Sequence, residues 1–298
     1  MNNPSSKLSV IGGTGFLGKH FVEAMIKKGL KPKLLIHNKK IINSDELHHG
    51  DILDFKSLEK FLEKDDVVVN FTGQISDNLE DYVKTNLSGS FSLLNSCIKK
   101  QVKHVILISS IDVYGNNCDT PSEETDIVNP STLYSLVKSV KEKIYRYYSE
   151  NLNLNVTILR LSNTYGVEKK IGIINNLISS LKNSQSLKIS HNGNQTRDFL
   201  YIDDAIQGII NAIEHLKQGF TIYNISSGKK ISIINLIKIL EKNQDSKISY
   251  EKQDSSPDEK CVWASYKKAK KQINFSPKVK IEEGLQKILL TKKSNNDS

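Results

Sequence analysis

Gly12-Gly13-Thr14-Gly15-Phe16-Leu17-Gly18 follows a short branched run, Leu8-Ser9-Val10-Ile11, and opens a segment in which Phe16, Leu17, Phe21, Val22, Met25 and Ile26 recur at helical spacing until Gly29. A buried strand that ends in glycines and continues as a helix constrains this chain more than any other feature. Glycines at 12, 15 and 18 let the backbone turn tightly and approach a pyrophosphate. They also let the helix pack close to the sheet with its N-terminus facing the anion. The loop therefore predicts a βαβ unit that binds a dinucleotide, with Thr14, Phe16 and Leu17 beside the three glycines at the cofactor.

The same alternation continues. Lys33–His37, Val67–Phe71, Val105–Ile108 and Asn155–Leu159 read as buried strands, and Phe55–Glu63, about 81–100 and about 132–150 as helices. Branched strands separated by helices and not by hairpin turns predict a parallel sheet covered on both faces. The expected class is α/β, a doubly wound parallel Rossmann sheet with a smaller C-terminal substrate-binding α/β region. Residues 1–165, with returning segments at about 197–227, form the dinucleotide-binding part. Residues 166–196 and 228–290 form the substrate-binding region, and 291–298 a polar tail.

The formal net charge of +9 raises the question of an anionic partner. The lysines are scattered, with no aromatic-interleaved basic stripe, so a solvated surface is expected and no specific nucleic-acid partner. Cys97, Cys118 and Cys261 lack metal or disulfide spacing, and His37, His48, His49, His104 and His191 form no ligand set, so no metal is expected. His191 lies near the 193–204 stretch, where it either lines a pocket or is a plain loop histidine. The first residues carry no hydrophobic signal region and no run approaches the roughly 18 to 20 apolar residues that span a bilayer. The expectation is a cytoplasmic protein with no membrane partner.

Ser109-Ser110-Ile111-Asp112-Val113-Tyr114-Gly115 follows the strand at 105–108, and Tyr134-Ser135-Leu136-Val137-Lys138 opens the next long helix. Tyr134 and Lys138, at i and i+4, share one helix face. A free phenol is a poor base at neutral pH, and a neighbouring cation favours its ionised form. Ser110 would then hydrogen-bond the substrate oxygen that Tyr134 protonates or deprotonates, while hydride moves to or from a nicotinamide.

Glycine loop, serine, tyrosine and lysine, each after its expected element, resemble the short-chain dehydrogenase/reductase superfamily. Over nearly the whole chain the sequence is similar to its extended, NAD-dependent epimerase/dehydratase branch. Thr85-Asn86-Leu87-Ser88-Gly89-Ser90 resembles that branch's Asn-Val-x-Gly-Thr helix, which makes Asn86 the fourth catalytic residue, supporting Lys138 through water. Leu159–Gly166 resembles the segment that closes the cofactor site, with Asn163 on the pyrophosphate of a nucleotide sugar. Gly193–Asp204 resembles a sugar-nucleotide segment in which Arg197 grips phosphates, a role suited to its planar fork. The resemblance also implies a homodimer through the helices at about 81–100 and 132–150. Ile144, Tyr147 and Tyr148 suit such a contact, and core packing within one chain explains them equally well.

Three departures bear on function. The end of the second strand, Ile36-His37-Asn38-Lys39-Lys40, has no carboxylate for a ribose 2′-hydroxyl, which leans the cofactor from NAD towards NADP(H). Asp51-Ile52 resembles the branch's adenine contact, although a turn or capping aspartate has the same appearance. Ser255-Ser256-Pro257-Asp258 stands where an Arg-x-Gly-Asp segment carries a second phosphate clamp. Ile111-Asp112 stands where sugar 4,6-dehydratases carry Asp-Glu, so elimination chemistry is weakened although Asp112 keeps one carboxylate beside the substrate. The expected function is NAD(P)-dependent hydride transfer at a sugar carbon, read as C4, of a nucleotide sugar. A 4-ketoreductase comes slightly ahead of a 4-epimerase, with a dehydratase or a non-catalytic NAD(P)-binding regulator as alternatives.

Overall fold

The computed structural model describes residues 7–37, 46–73, 78–169, 171–183, 186–244, 247–253 and 261–294. The glycine loop joins β1 (Leu8–Ile11) to α1 (Phe16–Lys27), and β2 (Lys33–Ile36), β3 (Leu47–His49), α2 (Phe55–Phe61) and β4 (Val67–Asn70) follow. Next come α3 (Leu79–Val83), α4 (Gly89–Lys99), β5 (His104–Ser110), α5 (Leu133–Leu152) and β6 (Val156–Leu161). The rest of the chain adds β7 (Asn163–Tyr165), α6 (Ile173–Asn183), β8 (Leu187–Ser190), β9 (Thr196–Tyr201), α7 (Ile202–Glu214) and β10 (Phe220–Ile225). It ends with β11 (Lys230–Ser232), α8 (Ile233–Gln244), β12 (Tyr250–Gln253), β13 (Cys261–Val262), α9 (Lys267–Ile273) and α10 (Ile281–Ser294).

Seven strands form one parallel sheet in the order β10-β6-β5-β4-β1-β2-β3. The order reverses between β1 and β4, and an open α/β sheet binds its ligand in the crevice beyond the strand ends at such a point. The glycine loop leaves β1 there, and Phe71-Thr72-Gly73 leaves β4 beside it. Every residue of β1, β2, β4, β5 and β6 is buried, because helices cover both faces. One apolar core fills the face under α1 and α7 and extends to α10, and a second fills the face under α2, α4 and α5.

The fold class read from the sequence is the observed one, and the returning strand around Tyr223 is β10, paired with β6 from Phe220↔Val156 to Ile225↔Leu161. β3 was not legible, since three residues with two histidines give no apolar period. The long helix expected at about 81–100 is broken by a π-helical turn, Lys84–Ser88. Asn86 sits in that turn, and its side-chain amide donates to Tyr82 O at 2.9 Å, the carbonyl an α-helical Asn86 N–H would take. At the other end, α10 runs to Ser294 and includes the first residues of the stretch read as a polar tail. Among the described residues no helix is long and apolar enough to cross a membrane.

Outside the main sheet, β9 is flanked by antiparallel β11 and by parallel β13 and β7, and β8 pairs with β12. This smaller sheet brings Asn163 and Arg197 to the side of the crevice that the Rossmann strands leave open.

Candidate active site

α1 starts without a side-chain cap and without an acidic residue in its first turn, so its N-terminal N–H groups are not countered by carboxylate. The loop in front of it closes on itself through Gly15 N donating to Gly12 O at 3.2 Å. A Cβ at Gly18 would collide with Gly12 O and lie 2.7 Å from Gly13 Cα, so only glycine lets the helix come this close to the loop. The loop thus fits a dinucleotide pyrophosphate by backbone alone. At the far end of the crevice His37 Nε2 lies 3.4 Å from Asp51 Oδ2, and Asp51 Oδ1 accepts from Leu53 N at 2.9 Å. Asp51 is therefore a turn aspartate that also places a carboxylate beside the end of β2. Ile52 is buried beneath Gly89. Asn38 and Lys39, on which the leaning towards NADP(H) rests, lie outside the described residues, as do Ser255–Asp258.

Thr132 caps α5 in a reciprocal pair with Ser135, which fixes where Tyr134 leaves the helix. Ser110, at the end of β5, accepts from Asp112 N at 3.1 Å and lies near enough to the Tyr134 hydroxyl to influence its ionisation. Lys138 Nζ lies 5.8 Å from the centre of the Tyr134 ring and donates to Ile108 O at 2.9 Å. Gly73, at φ +141°, lies flat on this amine: a Cβ there would collide with Lys138 Nζ and come within 3.3 Å of Asn86 Oδ1. Asn86 is buried, and its Oδ1 has no hydrogen-bond partner among the described residues. An acceptor so placed, next to an ammonium, suits a bridging water.

Read from the sequence, two cations, Lys138 and an oxidised nicotinamide ring, favour the phenolate. In the chain alone, burial pushes Tyr134 up, the charge of Asp112 pushes it further, and the nearby Ser110 hydroxyl opposes them without prevailing. Burial lowers Lys138 to about 8, against the pull of Glu142. The chain by itself therefore holds Tyr134 as a neutral acid next to a readily titrated amine.

Asp112 and Arg197 sense each other's charge across the mouth of the site. Arg197 donates to Thr196 O at 2.9 Å and to Gln195 Oε1 at 3.2 Å, and burial lowers its affinity for the proton. Asn163 lines an open cavity with Gly166, Lys169, Ile174 and Phe199, and its Nδ2 is buried with no partner among the described residues. The Lys169 ammonium bonds Thr164 O and lies 5.5 Å from the Phe16 ring, which ties this cavity to the glycine loop. Ser110, Tyr134, Lys138 and Asn86 are thus brought together, and Asp112 and Arg197 face them.

Sequence reasoning missed several residues. Glu142 and Arg160 form a buried pair under the catalytic strand, and Ser109 donates to the same carboxylate at 2.5 Å. Arg160, a charged residue inside an apolar strand, and Glu142, four residues beyond Lys138 on the facing helix, were the available signals. Tyr82 is buried with its hydroxyl unpartnered among the described residues, near Tyr134. Lys141 is wholly buried and donates to Thr72. Nothing local marked either.

The fold and this cluster fit a dinucleotide-binding crevice with a proton-bearing group at its side. Residues 8–226 match the NAD dependent epimerase/dehydratase family, and the chain belongs to that family. It is 30% identical over 307 residues to a putative UDP-glucose 4-epimerase of Methanocaldococcus jannaschii, covering 96% of this chain and 98% of that one. It is 26% identical over 327 residues to the human dTDP-D-glucose 4,6-dehydratase, covering 96% and 89%. A UDP-glucuronic acid 4-epimerase from Bacillus cereus, solved with UDP-4-deoxy-4-fluoro-glucuronic acid and NAD, superposes with a TM-score of 0.87 at 26% identity, covering 97% and 99%.

Proposed function

We propose that the protein is a nucleotide-sugar 4-epimerase that uses NAD. The observation that carries this is the meeting of Tyr134, Lys138 and Asn86 around Gly73 and the end of β5, where Ser110 sits, beside the crevice the glycine loop opens. When bound, a nicotinamide accepts and returns hydride and, oxidised, carries a positive charge that favours phenolate. Ser110 orients the sugar oxygen, Tyr134 takes or gives its proton, and Lys138 with Asn86 connects that proton to water. Arg197 and Asn163 hold the diphosphate.

Elimination is disfavoured because the dehydratase pair is incomplete. Ile111 is wholly buried in an apolar cluster with Val113 and Tyr114, so only Asp112 offers a carboxylate. The reductase reading drew on the absence of a carboxylate after β2, and Asp51 meeting His37 there supplies one, unfavourable to a 2′-phosphate. That contact and the archaeal relative support the epimerase reading over the reductase.

Denaturing the purified protein should release NAD+ at about one molecule per chain, measured by mass spectrometry. Loaded protein should interconvert UDP-glucose and UDP-galactose or their uronates without added cofactor. A chain that purifies empty and binds NADPH more tightly than NADH would instead be a releasing reductase.

Pairing of two chains through α4 and α5 is part of this reading. Tyr148 is committed to its own chain, buried and donating to Asn95 Oδ1 at 2.7 Å, and Ile144 packs on the core beneath. Tyr147, Phe91 and Leu136 are left exposed at 59%, 46% and 48%. Light scattering should give two chains per particle, and Tyr147→Glu should shift it towards one. A monomeric wild type would refute this.

A further inference from the structure

α5 buries a second lysine one turn beyond the first. Lys141 has no exposed surface, and its Nζ donates to two oxygens of one residue, Thr72 O at 2.9 Å and Thr72 Oγ1 at 3.0 Å. Thr72 Oγ1 spends its own proton on Asn70 Oδ1 at 2.7 Å, which leaves that oxygen to accept from the amine. Thr72 N donates to the same Oδ1 at 2.9 Å, and Asn70 Nδ2 donates to Tyr145 OH at 2.7 Å. Two residues of α5 therefore grip the end of β4 through one continuous chain of hydrogen bonds. The next residue after Thr72 is Gly73, the one that lies on Lys138 Nζ and beside Asn86 Oδ1.

We propose that Lys141 is a positioning residue: its two hydrogen bonds to Thr72 lock the 71–73 turn against Lys138 and Asn86, and so hold the cofactor side of the crevice in register with the proton-bearing groups. This rests on the reading of the crevice as a nicotinamide site.

The hydrogen count supports it. A neutral amine has two hydrogens and meets two acceptors, whereas an ammonium would bury a third hydrogen and a charge. Burial, and then the charge of Lys138, hold Lys141 well below the ordinary lysine range. The other titratable groups around this stretch do not compensate a charge there. Glu142 is committed to Arg160, and Tyr145 and Cys97, both pushed up by burial, remain neutral. Acidification through the lowered pKa of Lys141 thus places a second cation beside Lys138 and favours an opened turn in which it is hydrated. The locked turn is present above that pKa and lost below it.

The test is the affinity of the full chain, freed of resident cofactor, for NAD+ by calorimetry between about pH 8 and pH 5. Wild-type affinity should fall on acidification. Lys141→Met keeps length and burial but cannot donate or charge. At about pH 8 its Kd should rise roughly tenfold, because Thr72 O is left unpaired, and its pH dependence should be flatter than that of the wild type. Thr72→Val, which removes one of the amine's two acceptors and the hydroxyl's bond to Asn70 but keeps Thr72 N and O in place, should give a smaller rise and move the pH at which affinity is lost. It carries the test if Lys141→Met does not fold. An unchanged Kd, or a higher Kd with a pH dependence parallel to the wild type, would reduce Lys141 to packing and overturn the proposal. A wild type that binds neither NAD+ nor NADP+ would overturn the underlying reading, and this one with it.

Discussion

Tyr134→Phe is expected to lower turnover by about a thousandfold, with cofactor affinity within about twofold of wild type. The substitution removes one oxygen and leaves the ring, and the ring is what contacts Lys138, at 5.8 Å from its Nζ. Ser110 keeps the bond from Asp112 N at 3.1 Å, so the end of β5 holds its shape. The pH profile carries a second expectation. Lys138 is lowered to about 8 by burial, so it carries its proton below that pH and gives it up above. The wild-type rate should therefore decline on the alkaline side around Lys138's pKa, as the cation supporting Tyr134 is lost. Comparable turnover in Tyr134→Phe would remove the hydroxyl from the chemistry altogether.

Much of this machinery was legible because its spacing is local. A glycine loop between one strand and one helix, and a tyrosine and lysine four apart on a helix, need no knowledge of tertiary structure to be placed. Ser110 could be read from its place after a buried strand. The parts that resisted reading depend on distant contacts. Asn86 reaches Gly73 from a π-turn in which its own side chain takes the Tyr82 carbonyl. The burial of Tyr134 was not visible, because sequence shows the lysine four residues on and hides what packs over the phenol. Lys141 looked like one more surface lysine in a chain of charge +9, and only the packing of α5 on β4 reveals where its stem goes. Tyr148, for which interface and core packing were both open, is turned inwards by the same helix that leaves Tyr147 outside.

Arg160→Leu is expected to cost about 3–5 kcal/mol of folding stability, because it leaves the Glu142 carboxylate buried without its cation. The Arg160 and Glu142 side chains are 4% and 7% exposed, and the guanidinium reaches the carboxylate through Nη2 at 2.7 Å and Nε at 3.1 and 3.2 Å. The same guanidinium lies 4.7 Å from the centre of the Tyr114 ring, whose hydroxyl donates to Asn224 Oδ1 at 2.8 Å. One ion pair thus binds α5, β5, β6 and β10 together directly beneath the serine and tyrosine. Glu142→Gln should cost a comparable amount by stranding the arginine. The double variant Glu142→Leu/Arg160→Leu should lose less than the sum of the two, since no isolated charge remains. Urea unfolding at neutral pH reads this as a drop in midpoint with little change in slope. A loss below about 1 kcal/mol for Arg160→Leu would mean that water reaches the pair and that the four elements are held by apolar packing alone. In the expected case the consequence reaches the chemistry. Glu142 raises the proton affinity that burial takes from Lys138, so the anchor of the sheet and the tuning of the catalytic amine are one carboxylate.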